Sequence, residues 1–411
     1  MKHENPHHPT SPANRSKARL LFVAPTPPPF AGPEVVSAAL LHNEELQSRY
    51  EIRHLRSNIN HHNRDKGKLH FSSIFRFMII IVKFAQALKI YIPDGIYTLL
   101  AQNRVGFVRD AVYIYLGSLS GAKIFCQFHG ESFSIFFERQ PTFFQRFIKS
   151  IMGRIDVLMV QGENLKNQFF EIVDSARFRV IPNGVETSLY PAEDIDNRCF
   201  ETERIGVLFL SSLLASKGFA DLYEVAKEIA DGALNIDFIF AGELCSRDYN
   251  ITRDHRGHRF KPLKISEEIG NHRRIRFVGP VYDRAKIDLM LSADIFAFPS
   301  YSESFPTVVL EAMAAGLPMV VTPVGALPEV LKEGENCYFV SPGNKEELKE
   351  RILRLAADQE LRKRMSRANR ELVCTEFTVG AMQRKFNKVL DECYNSHINA
   401  FSTVSSAATV N

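Results

Sequence analysis

Cysteine is scarce in this chain of 411 residues, and its few copies are widely scattered. The six cysteines are Cys126, Cys199, Cys245, Cys337, Cys374 and Cys393, and they include no CxxC pair. This spacing argues against a disulfide framework and against a structural zinc site, which both rely on recurrent cysteine spacings. We therefore expect a protein of a reducing compartment and place it in the cytoplasm.

Long apolar runs are also missing. A membrane-spanning helix needs roughly 18 uninterrupted apolar residues, and the best candidate, FSSIFRFMIIIVKFAQALKIYI, is broken by Arg76, Lys83 and Lys89. The apolar LLFVA that follows the polar first residues is too short for the core of a signal peptide. We expect residues 1–18 to be a disordered lead-in and predict no spanning segment.

Positive charge is unevenly distributed along the chain. The formal net charge is only +4, but residues 51–154 hold 15 Lys and Arg against 6 Asp and Glu, within runs such as FFERQPTFFQRFIKSIMGR. Phe- and Ile-rich helices interrupted by basic residues are typical of an anionic membrane surface. They also fit core helices whose basic residues face water, and the sequence leaves both interpretations open. Because no nucleic-acid-binding motif accompanies these residues, we predict no nucleic-acid partner.

The length favours two domains, each able to bury its own core. Apolar runs with strand character recur at residues 19–24, 95–100, 122–128, 156–160 and 178–181, separated by stretches of helical period such as a predicted helix 34–48. The alternation pauses in the acidic stretch 191–203 and restarts at 205–210, 236–242, 274–279, 294–299, 317–322 and 337–340. Strands that alternate with helices indicate doubly wound parallel sheets, so the sequence predicts two consecutive α/β domains.

Ligands of open parallel sheets bind beyond the carboxyl ends of the strands, so the loops there are the candidate sites. In the first domain, PPPFAG places Gly32 where a helix begins, and FHGES places His129 directly after a strand. In the second domain, SKGF places Lys217 at a helix start, where it is suited to a phosphate. Each feature also has a plain structural interpretation: a flexible turn, a satisfied histidine and a solvated lysine.

The stretch SESFPTVVLEAMAAGLP follows the predicted strand 294–299 and contains Glu303 and Glu311. Pro306 suits the start of a helix, where its missing N–H costs nothing. The helix predicted at 307–315 then directs its positive end toward a ligand, and a pyrophosphate fits there. Glu311 lies inside this helix, where its two carboxylate oxygens are suited to a vicinal diol such as that of ribose.

Taken together, these motifs resemble the retaining glycosyltransferases of family 4, the glycosyl transferases group 1, which have the GT-B fold. The resemblance is carried by Glu303 and Glu311 in a Glu-x7-Glu motif, by the sequences on either side of it, and by Lys217 in SKGF, over roughly residues 204–340. PPPFAG, HGES and IPNGVE agree more loosely.

The resemblance implies an organisation for the whole chain. Residues 19–190 would be an acceptor-binding Rossmann-like domain, 191–203 a linker and 204–376 a nucleotide-sugar-binding Rossmann-like domain that faces the first across a cleft. A C-terminal helix at 377–395 would pack back on the first domain, followed by a flexible tail at 396–411. The implied reaction transfers a sugar from a nucleoside diphosphate to a saccharide or lipid-linked acceptor, with no metal and no cofactor.

The resemblance also implies a role for each matching residue. Lys217 would stabilise the diphosphate leaving group, Glu303 would hold the donor sugar, and His129 would lie beside the reacting sugar. The remaining donor-binding residues are Gly32 at the diphosphate, Val278 and Gly279 at the base, Ser304, Phe305, Pro306 and Thr307 at the sugar and phosphates, and Glu311 at the ribose.

Two departures from the family pattern keep an alternative open. The family often has an Arg five residues before the lysine, where this chain has Ser212 after Ser211, and Arg247 is a candidate substitute. The Gly that usually follows the first glutamate is Ser304. A catalytically silent GT-B binding or scaffold subunit is therefore the alternative function, and an epimerase or phosphorylase on the same two-domain frame is a more remote one.

Overall fold

The computed structural model describes residues 17–58 without 29 and 31, residues 71–196, residues 204–243 without 233, and residues 272–408. Within these ranges the chain forms two parallel sheets of six strands each, flanked by helices. The arrangement confirms the predicted α/β fold with two doubly wound sheets.

The first sheet is built from the N-terminal half of the chain. Its strands are β1 (Ala18–Ala24), β2 (Tyr50–Arg56), β3 (Gly95–Leu100), β4 (Lys123–Phe128), β5 (Val157–Val160) and β6 (Phe178–Val180). They lie in the order β2-β1-β3-β4-β5-β6. The helices of this half are α1 (Gly32–Leu41), α2 (Glu44–Arg49), α3 (Phe71–Ile90), α4 (Arg104–Leu119), α5 (Phe133–Glu138) and α6 (Thr142–Met152), with 3-10 turns at Asn164–Phe169, Ser175–Arg177 and Thr187–Leu189.

The second sheet has the strand order of a dinucleotide-binding Rossmann fold. Its strands are β7 (Ile205–Leu210), β8 (Ile236–Ala241), β9 (Ile275–Gly279), β10 (Ile295–Phe298), β11 (Met319–Val321) and β12 (Cys337–Phe339). Read from β9, the order is β9-β8-β7-β10-β11-β12, which is the Rossmann order 3-2-1-4-5-6.

The remaining helices are, in chain order, α7 (Ala192–Asp196), α8 (Phe219–Ala230), α9 (Asp283–Ser292), α10 (Thr307–Ala314), α11 (Leu327–Val330), α12 (Lys345–Ala357), α13 (Gln359–Glu376) and α14 (Val379–Ala408), with a 3-10 turn at Ala215–Lys217. Every strand position predicted from the sequence is occupied by a strand, within one or two residues at each end. The expected linker includes the short helix α7, and residues 197–203 lie outside the described part of the chain.

Two local predictions are wrong. The predicted helix 34–48 is two helices, because Asn43 interrupts it and its side chain accepts a hydrogen bond from the Leu46 amide at the start of α2. The strand β2 was not predicted at all. It lies at the edge of the sheet, where most of its side chains are at least partly exposed and the apolar signal is weak.

The C-terminal helix α14 packs on the first sheet, as the resemblance implies. Phe386 and Leu390 are fully buried in one cluster with Leu20, Phe22 and Tyr97 of the sheet. Asn43 donates to Asn387 over 2.8 Å, and the Tyr50 hydroxyl donates to Asp391 over 2.6 Å. The helix continues through Ala408, beyond the end at residue 395 that the sequence predicts, so part of the expected tail is helical.

Helices long and apolar enough to cross a bilayer are absent from the residues that the structure describes.

Candidate active site at the strand-order reversals

Both sheets reverse their strand order, the first between β1 and β3 and the second at its middle. Ligands of open α/β sheets bind at such points. In the second sheet the reversal lies between β7 and β10, which are hydrogen-bonded neighbours. The loop after β7 carries Lys217, and the loop after β10 carries Glu303. The two loops are joined by a hydrogen bond of 2.9 Å from the Tyr301 amide to the Ser216 carbonyl. The topology therefore brings together two site residues that are far apart in sequence.

Lys217 and Glu303 form an ion pair, with 2.6 Å between Lys217 Nζ and Glu303 Oε1. The Ser300 hydroxyl donates to the same carboxylate oxygen over 3.1 Å. Gly218 has a left-handed φ of +72°, and a Cβ there would lie 2.0 Å from the Pro299 carbonyl oxygen. The SKG turn therefore packs directly against the loop after β10, which holds the lysine beside the carboxylate.

The segment between Glu303 and α10 lies against neighbouring backbone on several sides. The Ala326 amide donates to the Ser304 carbonyl over 2.8 Å. Gly325 has a φ of +57°, and a Cβ there would lie 2.2 Å from the carbonyl oxygens of Glu303 and Ser304. The buried Asn183 of the N-terminal half donates to the Phe305 carbonyl over 2.7 Å, from the other side.

Helix α10 begins as the sequence predicts, at Thr307, with Pro306 as the N-cap residue. Among the described residues no side chain caps its first turn. Amide groups at an uncapped helix start carry a partial positive charge. The geometry is thus suited to an anion such as a phosphate.

Glu311 is also held by a lysine. Its Oε1 lies 2.6 Å from Nζ of Lys286 on α9, and both side chains are partly buried. The buried Tyr190 lies near enough for the Glu311 carboxylate to contribute, after burial, to raising the pKa of its phenol. The sequence alone does not identify Lys286 as a site residue, because a single lysine on a polar helix face belongs to no recognisable motif.

His129 lies directly after β4, as predicted, and faces the loop after β10. The Ser304 hydroxyl donates to the His129 carbonyl over 3.3 Å. The ring contacts Gln161 through Nδ1, while Nε2 is buried with no hydrogen-bond partner among the described residues. Burial lowers the pKa of His129 to about 4, so the imidazole is neutral near pH 7.

The three remaining candidate residues are at least partly exposed: Gly32, Val278 and Gly279. Gly32 is the first residue of α1, and no described atom lies within 4 Å of the position that a Cβ on it would occupy. Phe30, just before it, places its ring 6.0 Å from the Tyr282 ring before α9. Val278 and Gly279 end β9, with Val278 exposed. The structure thus brings the PPPFAG loop of the first half near the end of β9 in the second.

The position expected for an arginine is occupied by Ser212, and the candidate substitute Arg247 lies outside the described residues. The described part of the chain contains no group of three or more His, Cys, Asp or Glu side chains that could hold a metal ion. Lys217 and Lys286 are the lysines in direct contact with the two motif glutamates.

Solved structures share the fold of this chain over nearly its whole length. Sucrose-phosphate synthase from Thermosynechococcus elongatus superposes with a TM-score of 0.69 at 16% identity, over 92% of this chain and 100% of that one. Anabaena HepE, solved in complex with UDP, superposes with a TM-score of 0.64 at 17% identity, over 91% and 100%. The fold is GT-B. At these identities the likeness establishes the fold alone. The candidate site lies where the two halves meet, since Asn183 contacts Phe305 and His129 contacts Ser304.

Residues 193–372 match the family model of glycosyl transferases group 1. The matched segment contains Lys217, Lys286, Glu303 and Glu311. The D-inositol 3-phosphate glycosyltransferase of Corynebacterium jeikeium is 27% identical over 226 residues, 52% of this chain and 52% of that protein.

A second relative is the N,N'-diacetylbacillosaminyl-diphospho-undecaprenol alpha-1,3-N-acetylgalactosaminyltransferase of Campylobacter jejuni. It is 27% identical over 228 residues, 56% of this chain and 52% of that protein. The D-inositol 3-phosphate glycosyltransferase of Corynebacterium glutamicum is 37% identical over 101 residues, 24% of its length. The chain therefore aligns with between a quarter and about half of these curated relatives.

Proposed function

We propose that this protein is a retaining glycosyltransferase of family 4. It moves a sugar from a nucleoside diphosphate sugar to a saccharide or lipid-linked acceptor, in polysaccharide or glycoconjugate biosynthesis. The observation that carries the proposal is the meeting of Lys217, Glu303 and the start of α10 at the strand-order reversal of the second sheet. An ammonium group beside a positive helix end is suited to a diphosphate. The family match and the UDP bound by HepE support a donor of this class.

In this proposal a different protein group binds each part of the donor. The amide end of α10 and Lys217 bind the diphosphate, and Glu303 binds hydroxyls of the sugar while it holds Lys217 in place. Glu311 accepts from the ribose hydroxyls through its carboxylate, which Lys286 holds at Oε1. Val278 and Gly279 line the base pocket, and Gly32 approaches the diphosphate from the first half.

The chemistry follows from charge and position. The bond between the anomeric carbon and the diphosphate oxygen breaks as the acceptor oxygen bonds to the same face of that carbon, and the acceptor proton leaves with the diphosphate. Attack on the departing face retains the anomeric configuration. The protein stabilises charge on the leaving group and positions the acceptor. Lys217 and the helix end supply positive charge, so we propose that neither a metal nor a cofactor is required.

Variants at the two key contacts test the proposal. The protein is incubated with UDP-, GDP-, ADP- and dTDP-sugars, and release of the nucleoside diphosphate is measured. Lys217→Ala should slow turnover on the order of 100-fold, since it removes one charged contact to the leaving group. Glu311→Ala should weaken binding of the diphosphate donor. Lys363→Ala is the control, because Lys363 pairs with Glu360 on α13 and contacts neither motif glutamate. Unchanged transfer and donor binding in Glu311→Ala would contradict the proposal.

The silent subunit remains the second candidate, and Ser212 at the arginine position is the observation that favours it. Calorimetry with the four nucleoside diphosphates separates the two functions. A silent subunit binds none of them, or binds without any turnover of the matching sugar donor.

We also propose that the protein is cytoplasmic and attaches peripherally to an anionic membrane, which would bring it to lipid-linked acceptors. Helix α4 packs on β3 and β4 of the first sheet, and it contacts both α3 and α6. Large apolar side chains nevertheless point outward from these three helices: Phe75, Met78, Ile79, Val82 and Ile90 on α3, Val105, Val108 and Leu119 on α4, and Phe143 and Phe147 on α6.

Lys83 and Lys89 on α3 and Arg146 and Lys149 on α6 are exposed beside these apolar side chains. An apolar surface bordered by cations is suited to the headgroups and outer chains of anionic lipid. The sheet-facing side of α3 is separately buried through Ile80, Phe84 and Ala87. The outward apolar side chains are therefore not explained by the core of the domain.

A further inference from the structure

A chain of hydrogen bonds runs from the second domain to the ring of His129. Asn183 Nδ2 donates to the Phe305 carbonyl over 2.7 Å. Gln161 Nε2 lies 2.7 Å from Asn183 Oδ1 and 2.8 Å from His129 Nδ1. Gln161, Asn183 and Phe305 are all buried, so the groups in this chain have little access to water as an alternative partner.

The direction of every hydrogen bond in this chain is determined at the Phe305 end. A backbone carbonyl oxygen can only accept, so the Asn183 amide must direct its NH₂ toward Phe305. Its oxygen then faces Gln161, which must direct its own NH₂ toward it. The second hydrogen of that NH₂ group is donated to His129 Nδ1. Reversing either amide would place two acceptor oxygens against each other in a buried site.

The same argument decides where the imidazole carries its proton. An Nδ1 that accepts a hydrogen bond has no proton, so a neutral ring carries its proton on Nε2. The lowered pKa of His129 agrees with a neutral ring. Within the described residues Nε2 has no partner, although it is buried. Its N–H is therefore a donor aimed at a position that no described protein acceptor occupies.

We propose that Gln161 and Asn183 are positioning residues that hold His129 as the Nε2–H tautomer, so that His129 donates a hydrogen bond to an oxygen of the bound sugar. The inference rests on the proposed function for the identity of that sugar, but not for the tautomer. It assigns His129 the role of a hydrogen-bond donor rather than of a general base, since a donor N–H has no lone pair to receive a proton.

The orientation of the His129 ring also depends on contact between the two domains. Phe305 belongs to the loop before α10, and Ser304 of the same loop donates to the His129 carbonyl. If the domains separate, Asn183 loses its carbonyl acceptor and the direction of the chain is no longer determined. His129 is thus oriented when the loop that carries Glu303 lies against the first domain.

The tautomer is measured directly by long-range ¹H–¹⁵N correlation on the full-length protein with ¹⁵N-labelled histidine rings, at mildly alkaline pH. The His129 signals are assigned by their loss in His129→Gln. Two other histidines serve as internal references. His54 Nε2 donates to the Ala24 carbonyl, and His42 Nδ1 donates to the Ala38 carbonyl, so they report the two opposite tautomers.

The wild-type protein should show His129 protonated at Nε2, like His54. Gln161→Glu should move the proton to Nδ1, because a carboxylate can only accept, while Gln161→Met should leave the two tautomers mixed. The signals of His42 and His54 should not change in either variant. A wild-type ring protonated at Nδ1, or a Gln161→Glu ring unchanged from wild type, would overturn the proposal.

Ligand and activity measurements test the contact with the sugar. At least one of the four nucleotide sugars should shift the His129 Nε2–H signal more than its sugar-free diphosphate does, and the absence of any such difference contradicts that contact. Gln161→Glu should lower kcat by about as much as His129→Gln, with little change in donor KM, and the double variant should show no further loss. If the tautomer is as proposed but no donor is turned over, the proposed function fails while the positioning role stands.

Discussion

At the candidate site each motif glutamate is bound to a lysine through one oxygen. Lys217 binds Oε1 of Glu303, and Lys286 binds Oε1 of Glu311. Each carboxylate is thus paired with an ammonium group rather than with the other carboxylate. In both pairs the lysine contacts Oε1 and restricts the rotation of the carboxylate. Lys286 is therefore part of the candidate site, although its position in the sequence does not predict this.

The Lys286–Glu311 pair gives a test of the proposed ribose contact. Affinities for UDP and for its 2',3'-dideoxy analogue are compared by calorimetry in the wild type and in Lys286→Met, with the other diphosphates used if UDP does not bind. The wild type should prefer the ribose form by about 10-fold or more, since a hydrogen bond to a charged group contributes about 1.5–3 kcal/mol. Lys286→Met should lose most of this preference, because Glu311 is no longer held in one orientation.

Two variants serve as controls for this prediction. Glu311→Gln should abolish the preference, and adding Lys286→Met to it should change nothing further. Arg284→Met is a matched control, because Arg284 pairs with Asp288 on the exposed side of the same helix. A preference for ribose that survives unchanged in Lys286→Met would show that the lysine does not orient Glu311.

Among the elements, helix α14 has contacts that its position in the sequence does not predict. It follows the second domain in the chain but covers one side of the first sheet. Phe386 is fully buried there, with its ring 5.4 Å from that of Tyr97 in β3. The helix therefore supplies a layer of the N-terminal core.

Removing the Phe386 side chain should destabilise the first domain. Phe386→Ala is expected to lower the free energy of unfolding by about 3–5 kcal/mol, since it removes buried apolar surface and leaves a cavity. Urea denaturation measures the change. Phe143→Ala is the control of identical chemistry, because Phe143 is 73% exposed, and it should change stability by less than about 0.5 kcal/mol. Equal losses in the two variants would mean that α14 is not part of the core.

Some elements can be predicted from the sequence and others cannot, and the difference has a physical reason. The buried parallel strands, such as β4 with five of six residues buried, are recognisable from their continuous apolar runs. The edge strand β2 and the break at Asn43 depend on neighbours that the local sequence does not contain. Asn43 contacts Asn387 of α14, whose position is decided by the rest of the fold.

On the scale of the whole molecule, the two halves meet through both hydrogen bonds and close packing. Glu329 of α11 accepts from the amides of Glu163 and Asn164 over 2.7 and 2.6 Å. Gly162 packs beside Ala326, where a Cβ would lie 2.5 Å from the alanine side chain. These contacts place the end of β5 in the first half beside the loops that carry the candidate donor-binding residues in the second.

The outward apolar side chains of α3, α4 and α6 predict binding to anionic membranes. Co-sedimentation with vesicles that contain phosphatidylglycerol should recover the wild type, and recovery should fall with added salt because the basic residues contribute by charge. Substituting Phe75, Met78 and Val82 together by Ser should reduce binding at least about 10-fold, since each buried apolar side chain contributes roughly 1.5 kcal/mol or more.

Leu234→Ser is the control for the membrane prediction, because Leu234 is 54% exposed in the second domain, away from these helices. It should bind vesicles as the wild type does. Vesicles of phosphatidylcholine alone should bind the wild type less. Recovery that is indifferent to lipid charge, to salt and to the triple substitution would count against a membrane-facing surface.

The sequence by itself determined the class of fold and the residues of the motif. Strand and helix signals are local, and the order of Lys217, Glu303 and Glu311 along the chain is visible without coordinates. Only the tertiary structure decided which groups meet. Lys286 reaches Glu311, Asn183 and Gln161 determine the proton position on His129, and α14 returns to the first sheet. Such contacts join residues far apart in sequence, and they arise from strand order and domain packing, which no local pattern encodes.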